Sequence, residues 1–376
     1  MSVNAYDPTT DSLILLAAGT KKTNTVLTVT TDISRLYGET VTVTDGKEIL
    51  TGDFSQTGRV TFELANLGTY TITCDIYSTS VNNEDYGSSL SAEVEPTIVS
   101  WSTGTDEQIT AMIESYYNGD LTLVDIQNVW SVGDTRTIHL NEMTAPNPYS
   151  GTWSAQDITV VILDFDHTTL ATPINGKTKS LITVQTRECM NNNNASGEST
   201  GHIFVNGDSA KDTSFTKWSN LYMRTYLNST VFGAIPSGSF KSAIKSSINN
   251  RLTTNGANPM NGGSTPDRTT ESVTDKLFLP SYPEIFGNIS NGLYLCGATP
   301  NSEEGTQFSY YATAVNRIKY GNNNGASNGV AQYWWGGSAF SRWDDNGFYW
   351  SYIYQDGETY SASGASACAL APCFAM

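Results

Sequence analysis

The chain has 376 residues, more than one hydrophobic core usually organises, so two or three domains are expected. It is 38% hydrophobic but only 15% charged, with 32 Gly and 20 Tyr, a balance that suits strands and loops better than a helical cytosolic enzyme. A formal net charge of -17 excludes the broad basic patch that nucleic acid or an anionic membrane surface requires.

The early apolar run at 13–18 follows Asp7 and Asp11 in place of a basic flank, and it is too short for a signal peptide or a membrane span. From Thr25 the sequence alternates: Val26-Leu27-Thr28-Val29-Thr30, Thr40-Val41-Thr42-Val43-Thr44, Val60-Thr61-Phe62-Glu63-Leu64 and Thr69-Tyr70-Thr71-Ile72-Thr73-Cys74. β-Branched and aromatic residues at period two predict half-buried strands. Asp45-Gly46, Thr57-Gly58 and Asn66-Leu67-Gly68 supply the turns between them. The economical fold for 23–98 is an immunoglobulin-like β-sandwich, after a leader or attachment segment at 1–22.

The strand pattern weakens between Ser80 and Ser102, where the first domain is expected to end. A linker at 99–126 carries a short amphipathic helix. Thr105 and Gln108 form its capping box, Ile109, Met112, Ile113 and Tyr116 share a face, and Asn118-Gly119 ends it. Such a helix must dock, and the C-terminal domain is the expected partner. Strands return at Thr135-Arg136-Thr137-Ile138-His139-Leu140, Ile158-Thr159-Val160-Val161-Ile162-Leu163 and Leu181-Ile182-Thr183-Val184. Helices are predicted at 218–227, ending near Asn228, and at 239–248. A polar loop follows at 253–270, then a buried strand-like Lys276-Leu277-Phe278-Leu279 and an aromatic, Gly-rich remainder from Ser309. The region 127–376 is therefore an α+β domain.

Cys74, Cys189, Cys296, Cys368 and Cys373 are scattered, odd in number and without a CxxC pair, so reduced thiols are expected and neither a disulfide framework nor a zinc site is supported. Asp164-Phe165-Asp166-His167 places carboxylates beside an imidazole, but aspartate at a strand exit is ordinary turn chemistry, and no metal or cofactor is predicted. No GxSxG, HExxH or GxxxxGK[ST] motif occurs, and Cys189 has no visible catalytic context. The adjacent Glu303-Glu304 reads as a solvated turn.

Five segments occur in order: Trp130-Ser131-Val132-Gly133-Asp134; Ile162-Leu163-Asp164-Phe165-Asp166-His167; Met223-Arg224-Thr225-Tyr226-Leu227-Asn228; Asp275-Lys276-Leu277-Phe278-Leu279-Pro280 with Glu284-Ile285-Phe286-Gly287; and Gln332-Tyr333-Trp334-Trp335. Together they resemble a domain of gut-bacterial and phage proteins that is often a target of diversity-generating retroelements. The resemblance implies a C-type-lectin-like fold over 127–376, with the variable ligand-facing positions at the extreme C-terminus. The ending follows the family pattern through Trp334-Trp335, Phe348, Asp356-Gly357 and Leu370-Ala371-Pro372-Cys373-Phe374. It departs at Gly336-Gly337-Ser338. The opening Ala5-Tyr6-Asp7-Pro8-Thr9-Thr10 and the Thr-rich sandwich resemble modules of phage tail proteins.

Read without the family, the stretch 333–360 is dense in aromatics. Alternation puts Phe348, Trp350, Tyr352 and Tyr354 on one face of a strand and Tyr349, Ser351 and Ile353 on the other, and both faces are not expected to be wholly buried. The candidate ligand-binding residues are Ser341, Arg342, Trp343, Asp344, Asp345, Trp350, Tyr352, Tyr354, Gln355, Glu358 and Tyr360. The competing reading is a Tyr-rich core of a twisted sheet.

The expectation is a non-enzymatic phage tail adhesin, made in the host cytoplasm and carried on the virion. It would bind a host-cell surface protein or glycan at its C-terminal face and other tail proteins through its N-terminal region. A homo-oligomer, with a trimer as one candidate form, is expected for multivalency, although no heptad run marks one. A structural virion protein whose lectin-like domain mediates assembly is the alternative, and a tail-associated polysaccharide enzyme a third. A reverse-transcriptase gene beside a near-copy of the last codons would favour diversified recognition.

Overall fold

The computed structural model describes residues 3–7, 12–16, 25–31, 36–74, 77–84, 89–93, 98–147, 150–190, 202–204, 217–254, 268–287, 302–341, 348–363 and 367–376. The chain divides into two compact units, 1–97 and 98–376, and is largely β. No helix among the described residues is long and apolar enough to cross a membrane.

In the first unit, β1 (Val3–Asp7) and β2 (Ser12–Leu16) pair as an antiparallel hairpin within the stretch read as a leader. Next come β3 (Thr25–Thr30), β4 (Thr40–Thr44), β5 (Ile49–Asp53), β6 (Arg59–Leu64), β7 (Gly68–Cys74), β8 (Tyr77–Asn83) and β9 (Ser89–Glu93). They form two sheets, β6-β3-β9 and β5-β4-β7-β8. Period-two alternation sends Leu27, Val29, Phe62 and Leu64 from one sheet, and Val41, Val43, Tyr70 and Ile72 from the other, into a shared core. β9 was not predicted. Its Ser-Leu-Ser-Ala-Glu sequence suits an edge, where it runs parallel to β3. At Gly58, with φ +64°, an added Cβ would lie 2.0 Å from the Thr31 carbonyl oxygen, so only glycine fits that turn.

The second unit opens with α1 (Asp106–Asn118) and α2 (Leu123–Gln127). The capping box of Thr105 and Gln108 starts α1, and left-handed Gly119 ends it. The expected linker at 99–126 is no spacer. Trp101, Ile109, Met112, Ile113, Tyr116, Tyr117, Leu121 and Ile126 are all buried in the unit's main core. After β10 (Thr135–Leu140), the short pair β11 (Met143–Thr144) and β12 (Thr152–Trp153), β13 (Gln156–Phe165), β14 (Thr169–Ile174), β15 (Lys177–Lys179), β16 (Ile182–Thr186) and β17 (His202–Phe204), the chain turns helical.

The expected helix at 218–227 is a 3-10 turn at 218–220, then α3 (Tyr222–Tyr226), a π turn (Leu227–Val231) and α4 (Phe232–Ala234). It does not stop at Asn228, because that side chain is engaged elsewhere. The Asn228 amide oxygen accepts from the backbone of Lys276 at 2.7 Å and of Leu277 at 3.1 Å. The expected helix at 239–248 also differs: α5 (Ser239–Ala243) is short, and β18 (Ser247–Thr254) pairs with β19 (Arg268–Asp275) on what were read as the flanks of a polar loop. Neither strand has a continuous apolar row, so periodicity alone could not reveal them.

α6 (Tyr282–Phe286) is followed by the hairpin β20 (Lys319–Asn323) and β21 (Ala326–Gln332), then β22 (Trp334–Ser341), β23 (Phe348–Ile353), β24 (Thr359–Ser363), β25 (Ala367–Ala369) and β26 (Cys373–Ala375). The sheets are β10-β13-β16-β26, β15-β14-β18-β19 and β17-β25-β22-β23-β24. β13 is apolar on both faces. Ile158, Val160 and Ile162 enter the main core, while Val161 and Leu163 enter a second cluster with Phe278, Phe308 and Trp334.

All eight tryptophans lie in this unit, so their fluorescence reports its unfolding alone. Ile113→Ala in α1 is expected to lower the unfolding free energy read this way by about 2–5 kcal/mol. A helix merely resting in a linker would lose far less in the same denaturant titration.

Candidate functional site

β22 and β23 occupy the middle of the five-stranded sheet, with Trp334 opposite Ile353 and Trp335 opposite Tyr352. Alternation sends Trp335 and Trp350 into the main core and Trp334 and Ile353 into the second, so both faces of the sheet are covered there. The expectation of one open face fails at these positions. Trp350, predicted to touch ligand, is 1% exposed, its ring 6.1 Å from that of buried Trp218. It supports the surface from beneath, since a large ring with a covered position on each side gains most by leaving water.

Exposure begins where the strand runs out. Tyr352 and Tyr354 are half-buried, and Gln355 and Glu358 are exposed on the following turn. Tyr333, which precedes the paired tryptophans and was not among the predicted site residues, joins them. Its ring lies 4.6 Å from Tyr354 and 6.0 Å from Tyr352. The hydrogen bond that the Tyr333 hydroxyl makes to Tyr354 holds its proton and raises the phenol above its ordinary value, with burial a smaller cause. The register could have found this residue: opposing Trp334 to Ile353 leaves Tyr333 beside Tyr354.

The turn is held from within and from its side. The Tyr354 N–H donates to the Glu358 carbonyl at 2.7 Å, Gly357 takes φ +84°, and the Gln355 amide donates to the Ala331 carbonyl at 2.8 Å. Of the remaining predicted residues, Ser341 ends β22 opposite Phe348, and Tyr360 lies opposite Tyr352 in β24, by backbone register. The side chains of Ser341 and Tyr360, and the whole of Arg342, Trp343, Asp344 and Asp345, lie outside the described residues. The described site is thus a rim of Tyr333, Tyr352 and Tyr354 continued by Gln355 and Glu358.

Residues 199–376 match the model of a domain of unknown function, DUF6273. No curated protein and no solved structure matches the chain. The matched stretch contains the whole tyrosine rim. It does not contain β10, β13 or β16, the strands that complete the sheet around β26.

Two acidic motifs take up roles elsewhere in this unit. Asp164 accepts from the Ser309 N–H at 2.9 Å and from its hydroxyl at 3.1 Å, fastening the end of β13 to the 302–309 stretch. His167 Nε2 lies 3.0 Å from the Thr306 carbonyl, and its ring lies tilted over Phe308 with centroids 4.2 Å apart. No group of three His, Cys, Asp or Glu side chains among the described residues is placed to hold a metal. Burial pushes the Cys189 thiol up to about 12, so little nucleophilic thiolate forms at neutral pH.

Glu304 corrects the solvated-turn expectation, while its neighbour Glu303 is exposed as expected. Glu304 is 2% exposed and accepts from the Leu252 N–H at 2.9 Å and from the Ser338 hydroxyl, 3.0 Å from each carboxylate oxygen. Ser338 reaches it because the strand pairing slips between Trp335 and Ala339, at the Gly336-Gly337-Ser338 segment that departs from the family pattern. Glycine is required there: a Cβ on Gly337 would lie 2.5 Å from the Leu279 carbonyl oxygen. Adjacent charges in sequence look like a surface turn, and only tertiary partners distant in sequence reveal a buried one.

Burial raises the Glu304 carboxyl from 4.5 to about 7, outweighing its hydrogen bonds and the nearby Arg251 guanidinium. Between those pH values the folded chain keeps a proton that the unfolded chain has released, so this group's stabilising contribution falls as pH rises from 4.5 through 7. Glu304→Gln is expected to flatten that slope, removing roughly 3 kcal/mol of pH-dependent difference in urea melts. Asp275, which burial shifts in the same direction, remains in both proteins, so the comparison isolates Glu304.

Proposed function

We propose that this chain is a non-enzymatic recognition protein, a phage tail adhesin carried on the virion, whose C-terminal unit binds a host-cell surface protein or glycan. The finer fold reading belongs to the same proposal: an immunoglobulin-like sandwich in the first unit and a C-type-lectin-like fold in the second. The observation that carries it is the tyrosine rim. Tyr333, Tyr352 and Tyr354 stand half-exposed at the end of a strand pair whose buried side is fixed by Trp334, Trp335 and Trp350. Rigid tyrosines offer large contact area for little conformational entropy, and each hydroxyl adds a hydrogen-bonding group. Gln355 and Glu358 extend the rim with an amide and a carboxylate.

Individual contacts of this kind are modest, so several copies on one particle would supply avidity without any new contact. The first unit, with its polar outer faces and compact core, suits a spacer or attachment module joined to other tail proteins. A role in virion assembly is the competing reading, in which the rim would lie against a neighbouring subunit.

Binding of fluorescently labelled full-length protein to intact gut bacterial cells tests the proposal. Tyr352→Ala with Tyr354→Ala is expected to weaken binding at least about tenfold in a protein that still unfolds in one cooperative tryptophan-reported transition, its midpoint lowered because Tyr352 packs against the main core. Trp350 is left intact, because removing it would damage the fold. Unchanged binding would move recognition away from the rim, and a wild-type protein that binds no cells would favour assembly.

A further inference from the structure

A cleft in the C-terminal unit is lined by none of the rim residues. It is a half-open cleft of about 160 Å³, walled by the start of β14 with Lys179 of β15, by residues 248–250 of β18, and by the 303–306 turn. That is many times the ~10–15 Å³ one water needs, and below the ~300–1,000 Å³ of drug-sized pockets. Among the described residues Ile248 is the single apolar side chain in its lining.

We propose that this cleft binds a single neutral sugar ring. Its walls offer donors and acceptors together, the combination that a ring of hydroxyl groups satisfies, since each hydroxyl gives one hydrogen bond and accepts others. The Lys179 ammonium donates to Thr169 Oγ at 2.9 Å and retains two further N–H groups. Asn249, only 3% exposed, holds its amide nitrogen on the Ser247 hydroxyl at 3.2 Å, which leaves its carbonyl oxygen as an acceptor.

Charge balance argues for a neutral ligand. Lys179 and the buried Arg251, 3.6 Å from Glu284, offset the carboxylates of Glu284 and Glu303. Burial holds Glu304, the remaining acid of the lining, partly neutral near pH 7, so it adds less than a full negative charge to the walls. A cationic or anionic guest would leave one set of wall charges opposed. The walls are also fixed beforehand: Leu170 of β14 pairs with Ser247 of β18, and the Asn250 amide donates to the Glu303 carbonyl at 3.0 Å. Little ordering entropy is therefore lost on binding.

Calorimetric titration of the full-length protein tests this with the methyl glycosides of glucose, galactose, mannose and N-acetylglucosamine, and with glycine as a zwitterionic comparator. At least one glycoside is expected to bind at millimolar concentration, and Lys179→Ala to weaken it about tenfold or more. The Tyr352→Ala, Tyr354→Ala protein should keep that affinity, which separates failure of this site from failure of the rim. A trisaccharide ending in the same ring distinguishes the source. Equal affinity marks the terminus of a longer glycan and lost affinity a free monosaccharide, and either sustains the proposal. It is overturned if no glycoside binds the folded wild type, if binding survives Lys179→Ala unchanged, or if glycine binds more tightly than every sugar.

Discussion

The guanidinium of Arg251 is fully buried, and the middle of the C-terminal unit is arranged around that fact. A buried charge costs several kcal/mol unless partners surround it. Arg251 finds the carbonyls of Asn250 at 2.8 Å and Leu279 at 2.6 Å and the carboxylate of Glu284 at 3.6 Å. Glu284 is itself fixed as the capping residue of α6, accepting from the Ser281 N–H at 2.6 Å. Satisfying one cation thus locates β18, the 279–284 segment and α6 together. Glu304 then enters the same environment as a second acid, and the single neighbouring guanidinium does not suffice to keep it ionised near neutrality.

That polar centre also dictates the shape of β22. The strand must pass close enough for the Gly337 N–H to donate to the Pro280 carbonyl at 2.7 Å and for the Ser338 hydroxyl to reach Glu304. Only a residue without a side chain can occupy position 337, because a Cβ would also lie 2.9 Å from Arg251 Nε. On either side of the bulge normal pairing resumes, with Trp335 opposite Tyr352 and Ala339 opposite Trp350. The cleft and the tyrosine rim are therefore two outlets of one packed scaffold.

What the sequence disclosed follows from which interactions are local. Thr40-Val41-Thr42-Val43-Thr44 declares its strand because one face is apolar and the other polar, and Thr105 with Gln108 declares a helix start because both cap partners are near neighbours. β18 and β19 stayed hidden because Ser-Ile-Asn-Asn-Arg-Leu-Thr-Thr and Arg-Thr-Thr-Glu-Ser-Val-Thr-Asp owe their strand form to each other and to buried polar contacts. The site was legible in part. Tyr352, Tyr354, Gln355 and Glu358 reach the surface, whereas Trp350 belongs to the core, because alternation identifies which residues share a face but not which face another layer covers. Glu304 was misread for the related reason that burial of a charge is a property of its distant partners.

The same distinction separates what can vary in this unit from what cannot. Cys373, Phe374 and Ala375 of β26 are all buried and pair with Gln185, Val184 and Thr183 of β16. Tyr117 of α1 receives the Leu181 N–H at 3.0 Å and donates to the Met376 carbonyl at 3.1 Å. The last strand is therefore placed by residues far upstream of it, outside the stretch that matches DUF6273. Tyr354, Gln355 and Glu358 lie between β23 and β24 and contribute nothing to either core cluster. Their turn is kept by backbone hydrogen bonds and by Gly357, with the Gln355 amide bracing it from the side, so the side chains of Tyr354 and Glu358 can be exchanged without disturbing the strands that carry them. A surface free to change on a frame closed from behind is what the proposed recognition role requires.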